Sequence, residues 1–266
     1  KFKLNKKVKV HSYELDKYFE NRGSLPDDII LKSYFELTSS ILSSMRADKT
    51  NWIICEGSDD KLYLEHYLKD VNNLKIFAVG GCGNVVKLFK YMFVPFSEKE
   101  EDKKIVSKVL CLVDTDDVLN ILDTSNETKS GKLRIARIQI NREANVELCK
   151  LTKTGYYSPT EIEDCLNPEV LYEAIVKTIN EVGTMEQRDA LGNFSFNSEV
   201  NNARVKGENS IFKLEKLEGL ATKQLIYSFI DDHRNKYLIA KNYIEIDKKE
   251  TRDIPPLFQL IKEFFD

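Results

Sequence analysis

The spacing of hydrophobic and polar positions along this chain changes rhythm more than once. In SLPDDIILKSYFELTSSILSSM, Ile29, Ile30, Tyr34, Leu37, Ile41 and Met45 recur near helical spacing, and Pro26 with Asp27 supplies a helix start. This predicts a packing helix with one apolar stripe turned to a core. A shorter amphipathic stretch over residues 13–21 precedes it. From Asn51 onward, short apolar runs alternate with helical patterns. NWIICEG ends in glycine and leads into SDDKLYLEHYLKD, where Leu62, Leu64, Tyr67 and Leu68 fall as on a helix. LKIFAVGG runs into glycines before the helical NVVKLFKYMF. KVLCLVDTDD and KLRIARIQI supply a third and a fourth strand, and the intervening SEKEEDKK reads as a solvated charged insertion. Strands that are continuously apolar and alternate with helices belong to a parallel sheet covered on both faces.

Past Ile140 the rhythm weakens. SPTEIEDCLNPEVLYEAIVKTINEV reads as helical with a break at Asn167–Pro168, and residues 183–210, rich in Asn, Gly and Ser, read as loop. TKQLIYSFIDDHRNKYLIAKNYIE predicts an amphipathic helix or a pair, and PPLFQLIKEFF a last helix opened by proline. The expected fold is α/β: a core of about four mainly parallel strands flanked by helices, with N- and C-terminal helical extensions. The expected divisions are residues 1–49, 50–170 and 171–266. No internal repeat or low-complexity tract interrupts them.

Composition narrows the function classes. Across 266 residues, 40 Lys and Arg stand against 43 Asp and Glu, a net charge of −3. This excludes a histone-like basic polymer but leaves room for a local basic patch. No apolar run reaches the roughly 18 residues of a membrane span, and no leader-like pattern precedes the body, so a cytoplasmic protein is expected. The five cysteines never fall in a CxxC pair, and the three histidines are far apart. Reduced thiols are expected rather than disulfides or a zinc cluster, with Cys55 and Cys111 acting as small hydrophobes within apolar runs. A bound metal would then be a hard cation held by oxygen.

Ligands of open α/β sheets bind at the carboxyl ends of the strands, and there this chain gathers carboxylates. Glu56 and Asp60 are four apart across a glycine and a helix start, a spacing that lets them converge. Asp114 and Asp116 are two apart, so an extended backbone aims both the same way. Taken singly, such residues are ordinary helix caps and turn formers. Together at neighbouring strand ends they would repel one another unless protons or divalent cations intervene, as in two-metal phosphodiester cleavage.

Glu56-Gly57 after one strand, Gly81-x-Gly83-Asn84 after the next, and Asp114-Thr115-Asp116 after the third resemble a TOPRIM domain. That acidic catalytic core is shared by topoisomerases, bacterial primases and several nucleases, and the resemblance covers roughly residues 50–170. Asp60, the stretch Glu161-Ile-Glu163-Asp164-Cys-Leu and the stretch Lys236-Tyr-Leu-Ile-Ala240 make the chain most similar to the overcoming-lysogenization-defect (OLD) nucleases and related anti-phage effectors. Asp60 stands where that family often has Glu. A topoisomerase would need a separate tyrosine-bearing domain and a far longer chain, and a bacterial primase a zinc module that the cysteine spacing here does not supply.

The resemblance implies a Mg²⁺- or Mn²⁺-dependent endonuclease of DNA or RNA, with one or two ions held by Glu56, Asp60, Asp114, Asp116 and Glu163. Glu56 would be ligand or general base, and Lys236 would stabilise charge on the scissile phosphate, with Glu161 as a further acidic candidate. Substrate contacts are expected from Lys87 and Lys90, or from Arg134, Arg137 and Arg142. No GxxxxGK[ST] phosphate loop occurs. The ABC-type ATPase that OLD proteins carry is therefore expected as a separate chain or fused upstream of Lys1, with the helix at 27–46 as hinge or docking element. Self-association is also open.

Two other readings remain. LVDTDD resembles the strand-end DxD of haloacid-dehalogenase-like phosphatases, with Asp114 as nucleophile and Asp116 as acid/base. There, however, the nucleophilic strand comes first and a Thr follows the motif, where this chain has Val118. The third reading is a non-catalytic interaction subunit that docks through its long C-terminal helices.

Overall fold

A computed structural model describes residues 27–118, 120–122, 125–152, 158–207, 209–215, 220–249 and 252–266. The amphipathic stretch at 13–21 lies outside the described residues. The fold is α/β, built on a five-stranded, mostly parallel sheet with helices on both faces.

Helix α1 (Asp27–Ala47) begins at the expected Asp27, and its Ile41, Leu42 and Met45 are buried. Then come β1 (Asn51–Cys55), α2 (Ser58–Tyr67), β2 (Leu74–Ala78), α3 (Cys82–Ser97), the short exposed α4 (Lys99–Lys104), β3 (Val109–Val113) and β4 (Leu133–Ile140). The charged insertion thus closes into one turn and a half of helix that buries nothing. β1 pairs in parallel with β2 and β3, and β3 with β4. A fifth strand, β5 (Val146–Cys149), closes the far edge antiparallel to β4. The expectation of four strands missed it because four half-exposed residues of an edge strand carry no apolar run.

The sheet order β2-β1-β3-β4-β5 decides where a site can form. From β1 the chain leaves over one face, where α2 packs Tyr63 and Leu64 against Ile53 and Cys55. From β3 it leaves over the other, where Leu122 joins the cluster formed by Val109, Cys111 and Val113 with α1 and α3. Adjacent strands whose connections part to opposite faces open a crevice at their carboxyl ends. Here that crevice lies between the ends of β1 and β3, next to Glu56 and Asp114.

The C-terminal half belongs to the same core. A 3-10 turn (Ile162–Cys165) leads into α5 (Pro168–Val182), opened by the Asn167 side chain, which accepts from the Val170 amide, and by proline in the first turn. Residues 183–210, read from sequence as loop, contain α6 (Met185–Leu191) and β6 (Phe194–Phe196), which pairs with β7 (Phe212–Leu214). Thr184 and Gln187 form a reciprocal capping box that starts α6, a helix signal hidden in a polar stretch. The predicted helix pair is α7 (Leu220–Asp231) and α8 (His233–Asp247), and α9 (Pro256–Phe265) ends the chain. Val170, Ile175, Ile239, Tyr243, Phe258 and Ile261 all join the cluster that covers Ile53, Leu110 and Ile138 of the sheet.

Candidate active site

The site begins with Glu56, the residue after β1. Its backbone carbonyl accepts from the amides of Gly80 and Gly81 at 2.8 and 3.2 Å, which draws the end of β2 against the end of β1. Gly81 has φ +98° and ψ 155°, a conformation almost restricted to glycine. This turn aims the start of α3 at the Glu56 side chain. Glu56 Oε1 accepts from the Asp114 amide at 2.9 Å, and the carboxylate also accepts from the Cys82 amide in the first turn of α3. Asn84 fastens the same turn, donating to the carbonyls of Val79 and Gly80 at 2.9 and 2.6 Å and accepting from the Tyr34 hydroxyl. Gly81 and Asn84, which carried the family resemblance, therefore act as architecture in this fold.

Asp60 lies in the first turn of α2 and is buried. Its Oδ2 accepts from the Gly57 amide at 2.7 Å, so it caps the helix while facing the cluster. A Cβ at Gly57 would meet Asp59 Oδ1 at 2.4 Å, so a side chain there would require the Asp59 carboxylate to turn aside.

Asp114 directly follows β3, and Thr115 is stitched to Thr160 by two backbone hydrogen bonds of 3.0 and 2.9 Å. That bridge lays the acidic stretch 161–164 alongside Asp114 and Asp116. Within it, Asp164 Oδ2 accepts from the Glu161 amide at 2.9 Å and fixes the turn. Glu161 and the nearly buried Glu163 face Lys236, in the first turn of α8, with Nζ at 2.9 Å from Glu161 and 3.9 Å from Glu163.

Burial, with crowding of like charge added to it, marks the cluster. Burial pushes the Glu56 carboxyl up, and the charges of Asp116 and Glu161 add to that against two amide hydrogen bonds that lower it. Burial and Asp59 push Asp60 up to about 7. Asp114 stands well above the carboxylate range through burial and the charges of Asp60, Glu56, Glu163 and Glu161. Burial raises Glu163 well above that range, although Lys236 opposes the shift. Burial followed by Glu161 raises Asp116. For Lys236, burial opposes the charge, but Glu163 and Glu161 outweigh it and hold the ammonium protonated. Burial and the charges of Glu56, Asp116 and Asp114 push the Cys82 thiol up to about 12, so it is no thiolate nucleophile. Beneath the cluster, the fully buried Tyr63 hydroxyl has no hydrogen-bond partner among the described residues, and it feels the charges of Glu163 and Asp59.

An open cleft of about 410 Å³ gives access, lined by Asp116, Glu161, Glu163, Lys236, Arg204 and Lys206 among others. The donors are all hard oxygens, which suit Mg²⁺ or Mn²⁺. No three His, Cys, Asp or Glu side chains among the described residues already converge as a ligand set, so the donor chemistry rather than a preformed cage is what fits a cation.

The structure places Glu56, Asp60, Asp114, Asp116, Glu163 and Lys236 within reach of one another's charge. It adds Asp59, which the sequence reading did not single out, and gives weight to Glu161. Of the expected cationic contacts, Lys87, Lys90, Arg134 and Arg137 do not line the cleft, and Arg142 lines a neighbouring groove that shares Arg204, Lys206 and Gly207 with it. Arg134 pairs in register with Leu110, so it sits about 13 Å of strand below Asp114 at the opposite end of the sheet. There it binds Glu127 at 2.6 Å and lies over the Phe264 ring. Arg137 is buried within β4, hydrogen-bonded to the Cys149 thiol. Lys87 and Lys90 are exposed on α3 and do not line the cleft, with Lys87 over the Tyr34 ring. The cations that do line it, Arg204 and Lys206, come from the segment read as loop. Their signal was a short alternation, Ala203 and Val205 buried with Arg204 and Lys206 between and after them.

Fold and site define an α/β protein with a carboxylate-rich cleft at the switch point of a mostly parallel sheet. Compared with known proteins, the chain matches no family model, no curated protein and no solved structure.

Proposed function

We propose that the chain is a divalent-metal-dependent hydrolase of phosphodiester bonds in nucleic acid, and that the carboxylates at the switch point are its metal-binding site. The observation that carries this is the mutual charge effect of Glu56, Asp60, Asp114, Asp116, Glu161 and Glu163, from three separate segments, beside an open cleft that Asp116, Glu161, Glu163 and the charged Lys236 line. Carboxylates raised by burial and by neighbouring charge, as Glu56, Asp60, Asp114, Asp116 and Glu163 are, are stable only with protons or with cations between them. Glu56, Asp114 and Asp116 would hold one ion, and Asp60 and Glu163 would complete a second position. A bound divalent ion would supply Lewis acidity toward the phosphate and lower the pKa of an attacking water.

The remaining work falls to the chain's own groups. Two backbone amides hold Glu56 in one orientation, which suits a ligand and equally a base on the attacking water. Lys236 stays charged beside Glu161 and Glu163 at the cleft, where its ammonium would stabilise charge on the scissile phosphate. Support for an OLD-like effector working with an ABC-type ATPase comes from the sequence resemblance alone. Affinity purification of the native assembly tests it by recovering, or failing to recover, an ATPase. For the chemistry, Glu56→Ala and Asp114→Ala are compared with the unaltered protein on DNA and RNA with Mg²⁺ or Mn²⁺. A loss of at least about 10²-fold in rate is expected for each; cutting at the unaltered rate by both would place the site elsewhere.

A further inference from the structure

β2 is the outermost strand on one side of the sheet, and among the described residues no strand pairs with its free edge. Its ladder to β1 decides which groups that edge offers. The Asn51 amide donates to the Asn73 carbonyl at 2.9 Å, and the Val79 amide donates to the Cys55 carbonyl at 3.0 Å. Asn51 stands opposite Leu74 and Cys55 opposite Ala78. Alternate residues of a parallel strand bond to the same neighbour, so Lys75 and Phe77 turn their amides and carbonyls to β1, while Leu74, Ile76 and Ala78 turn theirs outward. A groove of about 450 Å³ lies along this edge. Leu68, Val71, Leu74 and Ile76 line it on the α2 face of the sheet, and Trp52, Lys75 and Phe77 on the other. Phe77 is 38% exposed, a large apolar side chain beside open backbone. The charge of the lining is uneven: Lys61, Lys69 and Lys75 stand against the one carboxylate Glu65, which lies 3.5 Å from Lys61. The nearby Asp70 is held by Lys262 at 2.8 Å. Lys69 and Lys75 are therefore in excess, with the Lys75 ammonium 5.6 Å from the centre of the Trp52 ring.

We propose that the β2 edge takes up an extended acidic segment of a partner protein as a further strand of the sheet. The outward amides and carbonyls of Leu74, Ile76 and Ala78 would pair with the backbone of that segment, and the flanking side chains would select its sequence. An added strand turns successive side chains to opposite faces. Apolar residues on one face would cover Leu68, Leu74 and Ile76, and acidic residues on the other would meet Lys75. Charge argues against a second copy of this chain as the occupant, since pairing two such edges would bring two sets of excess lysines together. This interaction stands independently of the hydrolase reading of the acidic cleft.

The test titrates the full chain with three fluorescein-labelled peptides and follows anisotropy: the alternating acidic EVEVEVE, the alternating basic KVKVKVK, and EEEVVVE, which has the acidic composition without the alternation. Trp52 is the only tryptophan in the sequence and lines the groove, so its emission locates the bound peptide. EVEVEVE should bind saturably and change the Trp52 emission, with the other two about tenfold weaker. Ile76→Pro removes one outward amide without taking a donor from the β1 ladder, and should weaken EVEVEVE about tenfold, while Ile76→Val, which keeps the amide, should bind as the unaltered protein does. Lys75→Glu, at an exposed position, should weaken it to a similar degree and keeps the test decisive if Ile76→Pro fails to fold. Absence of saturable EVEVEVE binding, equal binding of either control peptide, or unchanged affinity in both Ile76→Pro and Lys75→Glu overturns the proposal. So does a concentration-dependent dimer in sedimentation velocity that Ile76→Pro abolishes, because a second copy would then hold the edge.

Discussion

At the scale of single residues, the carboxylates hold the chain's main electrostatic tension, and its sign can be worked out. An acid whose folded-state pKa lies above its unfolded value contributes stability while protonated and loses it as pH rises. Asp60 rises from 3.8 to about 7 through burial and Asp59. Asp114, Glu163 and Glu56 shift in the same direction. The metal-free protein should therefore lose stability steadily between about pH 4 and pH 7, and saturating Mg²⁺ should flatten that slope. Urea titrations at stepped pH, with and without Mg²⁺, check this; rising metal-free stability over the same window would contradict it. By the same logic Asp60→Asn, which keeps an acceptor for the Gly57 amide, should stabilise the metal-free protein at pH 8 by on the order of 1–3 kcal/mol. It should also weaken the stabilisation that Mg²⁺ confers. Most of these residues were legible in sequence, because Glu56, Asp114 and Asp116 follow apolar runs that end strands. Glu161 and Asp59 were less so: each occupies a helix or turn start where acidic residues are common for local reasons.

At the scale of elements, the site depends on how turns aim their helices. The β2–α3 turn is drawn to Glu56 by the Gly80 and Gly81 amides, and Gly81 sits where a side chain is strained although open space surrounds it. Gly81→Ala should cost about 1–3 kcal/mol through backbone strain alone. It should lower activity further by moving the start of α3 from the Glu56 carboxylate. Denaturation midpoints and rates measured on one preparation separate the two effects. The β–α alternation that places this turn was plain in the sequence, as were the proline-led starts of α5 and α9. The segment 183–210 was not, because α6 is held by a capping box among polar residues and β6 is three residues long. The strand-borne arginines misled for a related reason. A strand pattern shows that Arg134 and Arg137 lie in β4, but three residues apart they fall on opposite faces, and neither face is announced by the residues themselves.

At the scale of the whole molecule, sequence suggested a core at 50–170 with helical additions, whereas the hydrophobic contacts run through both. Ile239, Tyr243, Phe258 and Ile261 cover the same sheet face as α2, and α8 carries Lys236 into the site. A chain ending at residue 170 should accordingly fail to fold, giving no cooperative melt by circular dichroism, while an independently stable core would melt sharply. Long-range packing of this kind leaves no local mark, since an amphipathic helix reads alike whether it docks on its own sheet or on another chain. The central claim concerns the cleft where these elements meet, and calorimetric titration of Mn²⁺ at pH 7.5 in buffers of differing ionisation enthalpy tests it most directly. Saturable binding that releases protons from the raised carboxylates, and is abolished by Asp114→Asn, is the predicted result. Absence of saturable heat, or binding that Asp114→Asn leaves intact, would contradict it.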